Sequence, residues 1–593
     1  MDIGIDFGST YSVVSRYDEL EDRVEAIPLC EGASGSIPSV VSMTKPRKQG
    51  NPPQIAIGPA AKLQAGKRTV RIFEGFKILL TESNLEMLKK RGYDNVYSPR
   101  EITKIFLSET LRKVSKNYNN EPIENLVICV PEIWGRNPAQ NDGRVILRDV
   151  LRNEIFEDEP KPHIRVVTEP EAASAFIAFH YEKTTGRPFN GHLLLIDYGG
   201  GTLDITLTEV SSDENGLEIS YREGGGAGEN HPDDQGNGTI GTAGIAYMQA
   251  VVINALREAG LLGEDEFPNY SSPAFVAAVT DLESQIKSRG NDIEDAFSIY
   301  GSYYSNLDAI LDEEEELDFA QLEYGDEAFP VTYQQLFRAY RDTIENVLKR
   351  EVQEINRKVR EHIGADPCEP EAGLRDDFKI ALVGGFGSFY LVKQQLAEIY
   401  KLDADAAVDM RTKSIPAKER EQAISFGAAL LAAGKVKQKK TARFSIGLCT
   451  KNAKNGQPDG LYYGIRYHQI IEPGTPYFIL YPGRTEDKPE NRVVWGGLYG
   501  NISSFAIEFS DSIEHGCLMD LKLEMLNRLR DLPTEGTWYC GFSMDENEIV
   551  SFHVEPRNGS VLGRKLEPVD IALDSYARMF NLTALRDVEV PQQ

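Results

Sequence analysis

One arrangement occurs twice in this chain, and it narrows the folds open to it. Ile3, Ile5 and Phe7 alternate with Gly4 and Asp6, the pattern of a buried strand that carries one inward carboxylate. The chain turns at Gly8-Ser9-Thr10 and returns through Tyr11, Val13 and Val14. About 190 residues later, Leu193-Leu194-Leu195-Ile196-Asp197 runs into Tyr198-Gly199-Gly200-Gly201-Thr202 and returns through Leu203-Asp204-Ile205-Thr206-Leu207. Each tip offers backbone N–H groups and hydroxyls beside a carboxylate, a set suited to phosphate oxygens and a hydrated divalent cation. A single Gly-Ser-Thr tip is also found in ordinary hairpins. Two copies at this separation predict two related lobes facing each other.

The segments between and after the copies alternate strand and helix. Ser98 is placed to cap a helix over residues 98–116, with Pro99 in its first turn. Leu126 to Val130 is a short apolar strand stopped by Pro131. Ile164 to Val167 is another, running into Thr168-Glu169-Pro170-Glu171, where Pro170 suits a helix start. This alternation predicts an α/β domain with a mixed sheet. Gly224 to Gly244 reads as a flexible stretch, followed by a helix-rich region to about residue 364 that includes the acidic run Asp312 to Glu316, a solvated loop or helix end. Lys379 to Val383 is a buried strand entering Gly384-Gly385-Phe386-Gly387, and the helix Gln422 to Ala433 carries small residues that permit close packing. Residues 435–443 hold five positive charges and few apolar side chains, which marks an interdomain linker. Beyond it, short strands separated by Gly, Pro, Asn and Asp predict an all-β sandwich over 444–570, and residues 571–593 a short helix and tail.

A chain of 593 residues is too long for one core. Its net charge of −28 argues against a general nucleic-acid or membrane-surface binder, since both surfaces are polyanionic. One nucleotide in a local pocket remains compatible with that charge. The six cysteines are scattered without a Cys-x-x-Cys pair, as expected of reduced thiols. No leader-like or membrane-spanning run is evident, so the expectation is a soluble, cytoplasmic protein.

The motifs together carry a resemblance. Asp6-Phe7-Gly8-Ser9-Thr10-Tyr11, Asp197 to Asp204 and Val383-Gly384-Gly385 stand in the order and spacing of the Hsp70/actin/sugar-kinase ATPase superfamily. Ile37-Pro38-Ser39-Val40-Val41, Phe73-Glu74-Gly75-Phe76-Lys77 and Val166 to Ala173 sharpen it to Hsp70, strongly over residues 1–435. Phe444-Ser445-Ile446-Gly447 and Gly541 to Val550 resemble, more weakly, the Hsp70 substrate-binding sandwich.

The resemblance implies a two-lobed, actin-like ATPase domain over 1–434 followed by the sandwich. It implies ATP or ADP with Mg²⁺ as cofactors. Asp6, Asp197 and Asp204 would hold Mg²⁺ largely through its waters. Gly8, Ser9, Thr10, Tyr11, Gly199, Gly200, Gly201 and Gly241 would contact phosphate. Lys77, Glu169, Asp197 and Thr202 match catalytic positions near the γ-phosphate. Lys287, Gly384, Gly385, Phe386, Ser388 and Glu421 stand at adenosine-side positions. Taken singly, each has a plainer reading: Lys77 as a snorkelling lysine, Glu169-Pro170 as a helix start, Gly199-Gly200-Gly201 as a turn.

The departures matter equally. Ser388 occupies the place of an arginine that stacks on adenine in the family, and Phe386, Phe389 or Tyr390 either stack instead or pack the core. Gly241-Thr242-Ala243-Gly244 replaces Gly-Gly-Glu-Asp, and Glu421 replaces an aspartate. The linker lacks the family's acidic, leucine-containing pattern, and about twenty residues after the sandwich are too few for a helical lid. The leading expectation is a divergent Hsp70-like ATPase that binds unfolded or extended polypeptide, with a J-domain-type cochaperone or exchange factor as implied partners. The alternative is a nucleotide-switched scaffold with little hydrolysis that docks a dedicated protein partner. A filament former or small-molecule kinase on the same fold fits poorly with a C-terminal sandwich.

Overall fold

The computed structural model describes residues 1–584 except 31–34, 45–52, 66, 68, 137–142, 159, 215, 299–316, 365–367, 370–372, 375–376, 401–418, 420, 452–457, 497–503, 509–515, 531–535, 562–563, 566 and 575. The acidic run Asp312 to Glu316 therefore lies outside the described residues. Two compact units are present. One comprises Met1–Ile133, Asp149–Ile219 and Glu223–Lys437, the other Trp134–Arg148, Ser220–Arg222 and Gln438–Gln593.

The repeated sequence pattern becomes a repeated topology in the first unit. Strand Asp2–Phe7 pairs antiparallel with Tyr11–Asp18 and parallel with Asn125–Val130, which pairs parallel with His163–Thr168. Strand Gly191–Tyr198 likewise pairs antiparallel with Leu203–Asp213 and parallel with Phe378–Val383. Asp6 and Asp197 occupy corresponding places: Asp6 is opposite Val13 and Cys129, Asp197 opposite Asp204 and Val383. Both sheets are mixed, as the alternation of elements predicts.

Helices Glu169–Thr185 and Ala423–Ala432 share one core with both sheets, including Val127, Cys129 and Val167 of the first and Leu193, Leu195 and Ala381 of the second. The small residues of the second helix permit this packing. A Cβ at Gly427 would collide with the carbonyl oxygen of Ala172. Helix Glu169–Thr185 opens with a capping box, in which Glu171 Oε2 accepts the Thr168 N–H at 3.3 Å and, besides, the Thr168 hydroxyl at 2.6 Å, and Pro170 fits its first turn. Helix Pro99–Asn117 is capped by Ser98, which accepts from the Glu101 N–H at 3.2 Å.

Two expectations for this unit need correction. Gly224 to Ala227 is not a flexible run but the end of strand Gly216–Ala227, and those residues are buried. Glycine is required there by close approach, since a Cβ at Gly226 would strike the Leu203 carbonyl. The helix-rich region also contains a hairpin, Asp318–Tyr324 with Glu327–Thr332.

In the second unit, two antiparallel sheets face one apolar core. One has the order Pro458–Ile465, Ser445–Lys451, Ser504–Glu508, Gly516–Leu521, Phe580–Ala584; the other is built on Tyr477–Phe478, Thr537–Met544, Val550–Pro556 and Val569–Ala572. Ile446, Phe505 and Phe580 of the first meet Trp538, Phe542 and Phe552 of the second. Helix Leu523–Arg530 joins them, so the region is not purely β. The expected final helix forms over Tyr576–Met579 and runs into strand Phe580–Ala584, and the tail expected after it lies outside the described residues.

The basic connector differs most from expectation. Val436–Lys439 is a strand, and Thr441 forms a bridge with Ile470. Lys440 and Arg443 are buried, and both bind the buried carboxylate of Glu548, at 3.3 and 3.0 Å. Arg144 reaches the same carboxylate at 2.9 Å and Arg148 reaches Asp545 at 3.4 Å, both from the stretch Trp134–Arg148 that groups with the C-terminal sheets. Burial opposes ionisation of Glu548, but the three cations overcome it and hold its pKa well below the usual carboxylate range.

Candidate nucleotide site

A cavity of about 940 Å³ lies in the first unit, and the two glycine tips meet on its wall. A Cβ at Gly200 would occupy the place of the Thr10 hydroxyl, and one at Gly201 would collide with Ile78. Each tip is held from outside by its carbonyls. Thr242, Gly244 and Ile245 donate backbone N–H bonds to the carbonyls of Gly201, Gly199 and Gly200, at 3.0, 3.3 and 2.6 Å. Ser39 serves the other tip: its N–H donates to the Thr10 carbonyl at 2.8 Å and its hydroxyl to the Gly8 carbonyl at 2.6 Å. In a planar trans peptide the next N–H points the opposite way. The N–H groups of Ser9, Tyr11, Gly200, Gly201 and Thr202 are thus turned away from these anchors, on residues that border the cavity. Successive N–H groups presented by such turns are suited to binding an anion.

Lys77 reaches the site through aromatic anchoring. Strand Val70–Phe73 leads through Gly75 to Phe76, whose ring packs 5.9 Å from Phe7 and 5.4 Å from Phe106. This burial sets the Lys77 ammonium beside Glu169, the first residue of its helix, and the two form a buried ion pair. Burial works against the lysine's charge, but Glu169 and Asp6 outweigh it and hold its pKa above the ordinary value.

Around this pair the carboxylates crowd. Asp6 is pushed up to about 7 by burial and the charge of Glu169, partly offset by Lys77. Burial, then Glu169, pushes Asp204 up to about 8, against a hydrogen bond from Thr202. Asp197 is raised by burial and by Glu169, Asp204 and Asp6. Asp197 Oδ1 and Asp204 Oδ2 are buried without a hydrogen-bond partner. Orphaned oxygens in a carboxylate-rich site fit a divalent cation. No three His, Cys, Asp or Glu side chains among the described residues form a direct metal cage. The donor set therefore fits an ion that keeps its waters, as Mg²⁺ does.

Asp6, Gly8, Ser9, Thr10, Tyr11, Lys77, Glu169, Asp197, Gly199, Gly200, Gly201, Thr202, Lys287, Gly384, Gly385, Phe386, Ser388 and Glu421 all border the cavity. Asp204 and Gly241 do not. Asp204 lies behind Asp197, accepting the Glu132 N–H at 2.7 Å, and Gly241 backs Gly201 so closely that a Cβ would strike its carbonyl. Gly384 has φ +85°, and a Cβ there would collide with Asp197 Oδ1.

At the far end, the alternatives for the aromatic run are resolved. Phe386 and Phe389 stack with centroids 5.3 Å apart and pack on Tyr247, so they belong to the core and only edge the cavity. Tyr390 is half-buried on the wall. The Ser388 hydroxyl donates to the Gly385 carbonyl at 2.8 Å. Lys287 is engaged by Glu283 at 2.8 Å, with its ammonium 4.0 Å from the centre of the Tyr11 ring.

Sequence reasoning missed Lys62, Glu74 and Glu283, which border the cavity beside Tyr11, and Glu132 behind it. Lys62 binds Glu283 at 3.4 Å. Burial pushes Glu74 up to about 7, with Lys62 opposing. Glu132 had one usable signal: it follows a proline at the carboxyl end of a buried parallel strand, where ligands bind in α/β sheets.

A family model described as Hsp70 protein matches residues 2–219. Heat shock cognate 70 kDa protein 3 of Dictyostelium discoideum is 28% identical over 237 residues, 37% of this chain and 34% of that protein. The chaperone protein DnaK of Thermoplasma volcanium is 27% identical over 223 residues, 36% of this chain and 31% of that protein. The chain is a divergent Hsp70-like protein. The chain spans about a third of the length of the relatives it matches, and residues 2–219 contain the first glycine tip, Lys77, Glu169 and the second tip. The Hsp70-like part thus includes most of the cavity's charged wall, whereas Lys287 and the 384–394 wall lie beyond the matched residues. No helix among the described residues is long and apolar enough to cross a membrane.

Proposed function

We propose that the first unit is a two-lobed, actin-like ATPase domain that binds Mg–ATP and hydrolyses it. The observation that carries this is the meeting of two N–H-presenting tips with Lys77, Glu169, Asp197 and Thr202 on one cavity. The tips receive the β- and γ-phosphates. Asp6, Asp197 and Asp204 hold the waters of Mg²⁺, which neutralises phosphate charge when bound. Lys77 adds positive charge at the γ-phosphate and orients the attacking water, with Glu169 fixing the ammonium's position. The Thr202 hydroxyl steadies the same end of the site.

Nucleotide turnover serves, in this reading, a β-sandwich in the second unit that binds extended polypeptide, as in a chaperone, in the cytoplasm. The test is ATP turnover by the purified full chain with and without unfolded peptide. Lys77→Ala is expected to lower hydrolysis about 10²-fold or more. Unaltered turnover in that variant would remove its role.

One observation favours the second reading, a nucleotide-switched scaffold. Phe386 and Phe389 are committed to the core and a serine stands where an arginine would stack on adenine, so the base end offers little grip. Nucleotide binding with background turnover and no peptide binding would decide for the scaffold.

A further inference from the structure

Lys77 and Arg91 are both buried cations on the wall of the cavity. Lys77 has Glu169 as its counter-charge, whereas the partners of Arg91 are neutral. Arg91 caps the end of helix Leu85–Lys90. Its Nη1 donates to Gln249 Oε1 at 2.9 Å, its Nη2 donates to the Gly238 carbonyl, and the guanidinium carbon lies 3.4 Å from the centre of the Tyr270 ring. Among the described residues no carboxylate comes within ion-pair distance of it. A guanidinium has five N–H donors; these bonds use two, and Nε has no acceptor. Burial pulls its pKa down to about 10, so the charge persists at neutral pH. A buried charge without a counter-charge is costly, and an anion in the cavity beside it would remove that cost. The surroundings favour phosphate as that anion. Gln249 stands four residues beyond Ile245 on helix Gly244–Glu258, about 6 Å along the axis, and Ile245 holds the Gly200 carbonyl of the second tip. Ile245, Met248 and Gln249 all border the cavity, so its wall follows this helix from the tip towards Arg91. The planar guanidinium fork matches phosphate oxygens.

We propose that Arg91 anchors a second anion subsite in the cavity, about one helical turn from the second tip, and that this subsite takes inorganic phosphate. This rests on the reading of the cavity as an ATPase site and adds a station for its product. Hydrolysis of ATP by water leaves ADP, hydrogen phosphate and a proton. The phosphate moves along the helix wall to Arg91, which retains it while ADP stays on the tips. Gln249 and Tyr270 hold the guanidinium in place without neutralising it.

The experiment uses the full chain saturated with Mg²⁺ and the β,γ-imido analogue of ATP, which fills the tips and resists hydrolysis. Sodium phosphate is titrated calorimetrically, with sodium chloride of equal ionic strength as the control. Wild type is expected to bind phosphate and to melt at higher temperature with it. Arg91→Met, which keeps the length of the side chain and removes its charge, is expected to weaken phosphate binding about ten-fold or more. Arg91→Lys keeps the charge without the fork and is expected to weaken it less, which preserves a readout if the neutral variant does not fold. An arginine that only ties its neighbours together would instead shift the melting temperature equally with and without phosphate. That result, unchanged phosphate affinity in Arg91→Met, or no phosphate binding by wild type would overturn the inference. Titration of the nucleotide-free chain separates the two claims: phosphate binding that depends on Arg91 in a chain that does not bind the analogue removes the ATPase reading and leaves the subsite, whereas analogue binding without a phosphate subsite does the reverse.

Discussion

A carboxylate withdrawn from water keeps its proton longer, and Glu74 is the clearest instance outside the cluster of Asp6, Asp197 and Asp204. Its pKa of about 7 lies above the ordinary glutamate value, so the folded chain holds this proton more tightly than the unfolded chain. The contribution to stability is then greatest in acid and declines as pH rises from about 4.5 towards 7. Glu74→Gln should therefore stabilise the protein by about 1–3 kcal/mol at pH 8 and leave it almost unchanged at pH 4.5, as read by urea unfolding at the two values. Equal effects at both pH values would show that Glu74 is solvated. The aspartates of the proposed cation site have a different signature. Asp6→Asn or Asp197→Asn should weaken nucleotide binding in Mg²⁺ but not in EDTA, measured by calorimetry, and loss that ignores the metal would mark these residues as structural. At this scale the charged centre was legible, because Lys77, Glu169 and the aspartates sit in short motifs. Lys62, Glu74 and Glu283 were not, because their closeness arises from folding across more than two hundred positions, as the Lys62–Glu283 bond demonstrates.

Close approach of backbones is what fixes the elements around the site. Helix Ala423–Ala432 crosses helix Glu169–Thr185 at Gly427, against the Ala172 carbonyl. In an exposed helix, glycine to alanine gains up to about 1 kcal/mol. Here the added methyl has no room, and Gly427→Ala should instead destabilise by about 1–3 kcal/mol in chemical melts. A neutral or stabilising result would show that the helices separate at little cost. Because Glu169 opens the displaced helix, nucleotide affinity should fall as well. Capped helices and buried strands were readable to within a residue or two, Pro99–Asn117 and Asn125–Val130 among them. The apolar pattern of the sequence predicts a strand over Leu461 to Ile471, but the strand ends at Ile465, ahead of a turn in which His468 adopts φ +61°. Strand Gly516–Leu521 escaped notice because Leu518, Met519 and Leu521 favour helix, and pairing with its neighbours overrode that preference.

At the scale of the whole molecule, the basic stretch around Lys440 and Arg443 belongs to the second unit. A solvated basic linker would make contacts worth about 0–1 kcal/mol each and lose them in salt. Lys440 and Arg443 are instead buried on Glu548 with Arg144, where screening is slight. Glu548→Gln leaves these cations without their counter-charge and should cost about 3–5 kcal/mol, nearly independent of salt. The depressed pKa of Glu548 means that its contribution is complete above the ordinary carboxylate range and is lost as pH falls below it. Unfolding followed at 0.05 and 1 M NaCl, and at pH 7 and 3, checks all three statements; a strongly salt-dependent loss would return the connector to the surface. The change of pattern near residue 435 lies close to the division at Lys437, whereas the grouping of Trp134–Arg148 has no local signal, since Arg144 and Arg148 find their partners Glu548 and Asp545 far along the chain.

The two glycine tips descend from one plan, yet where they touch they cannot remain copies. Thr10 fills the space that any side chain at position 200 would need, so the bulk of the first tip dictates the bareness of the second. A duplicated device whose halves meet face to face must break its own symmetry at the point of meeting. The hydroxyl-bearing and the bare tip are thus no longer interchangeable. Giving the second tip the sequence of the first would leave two side chains competing for one place.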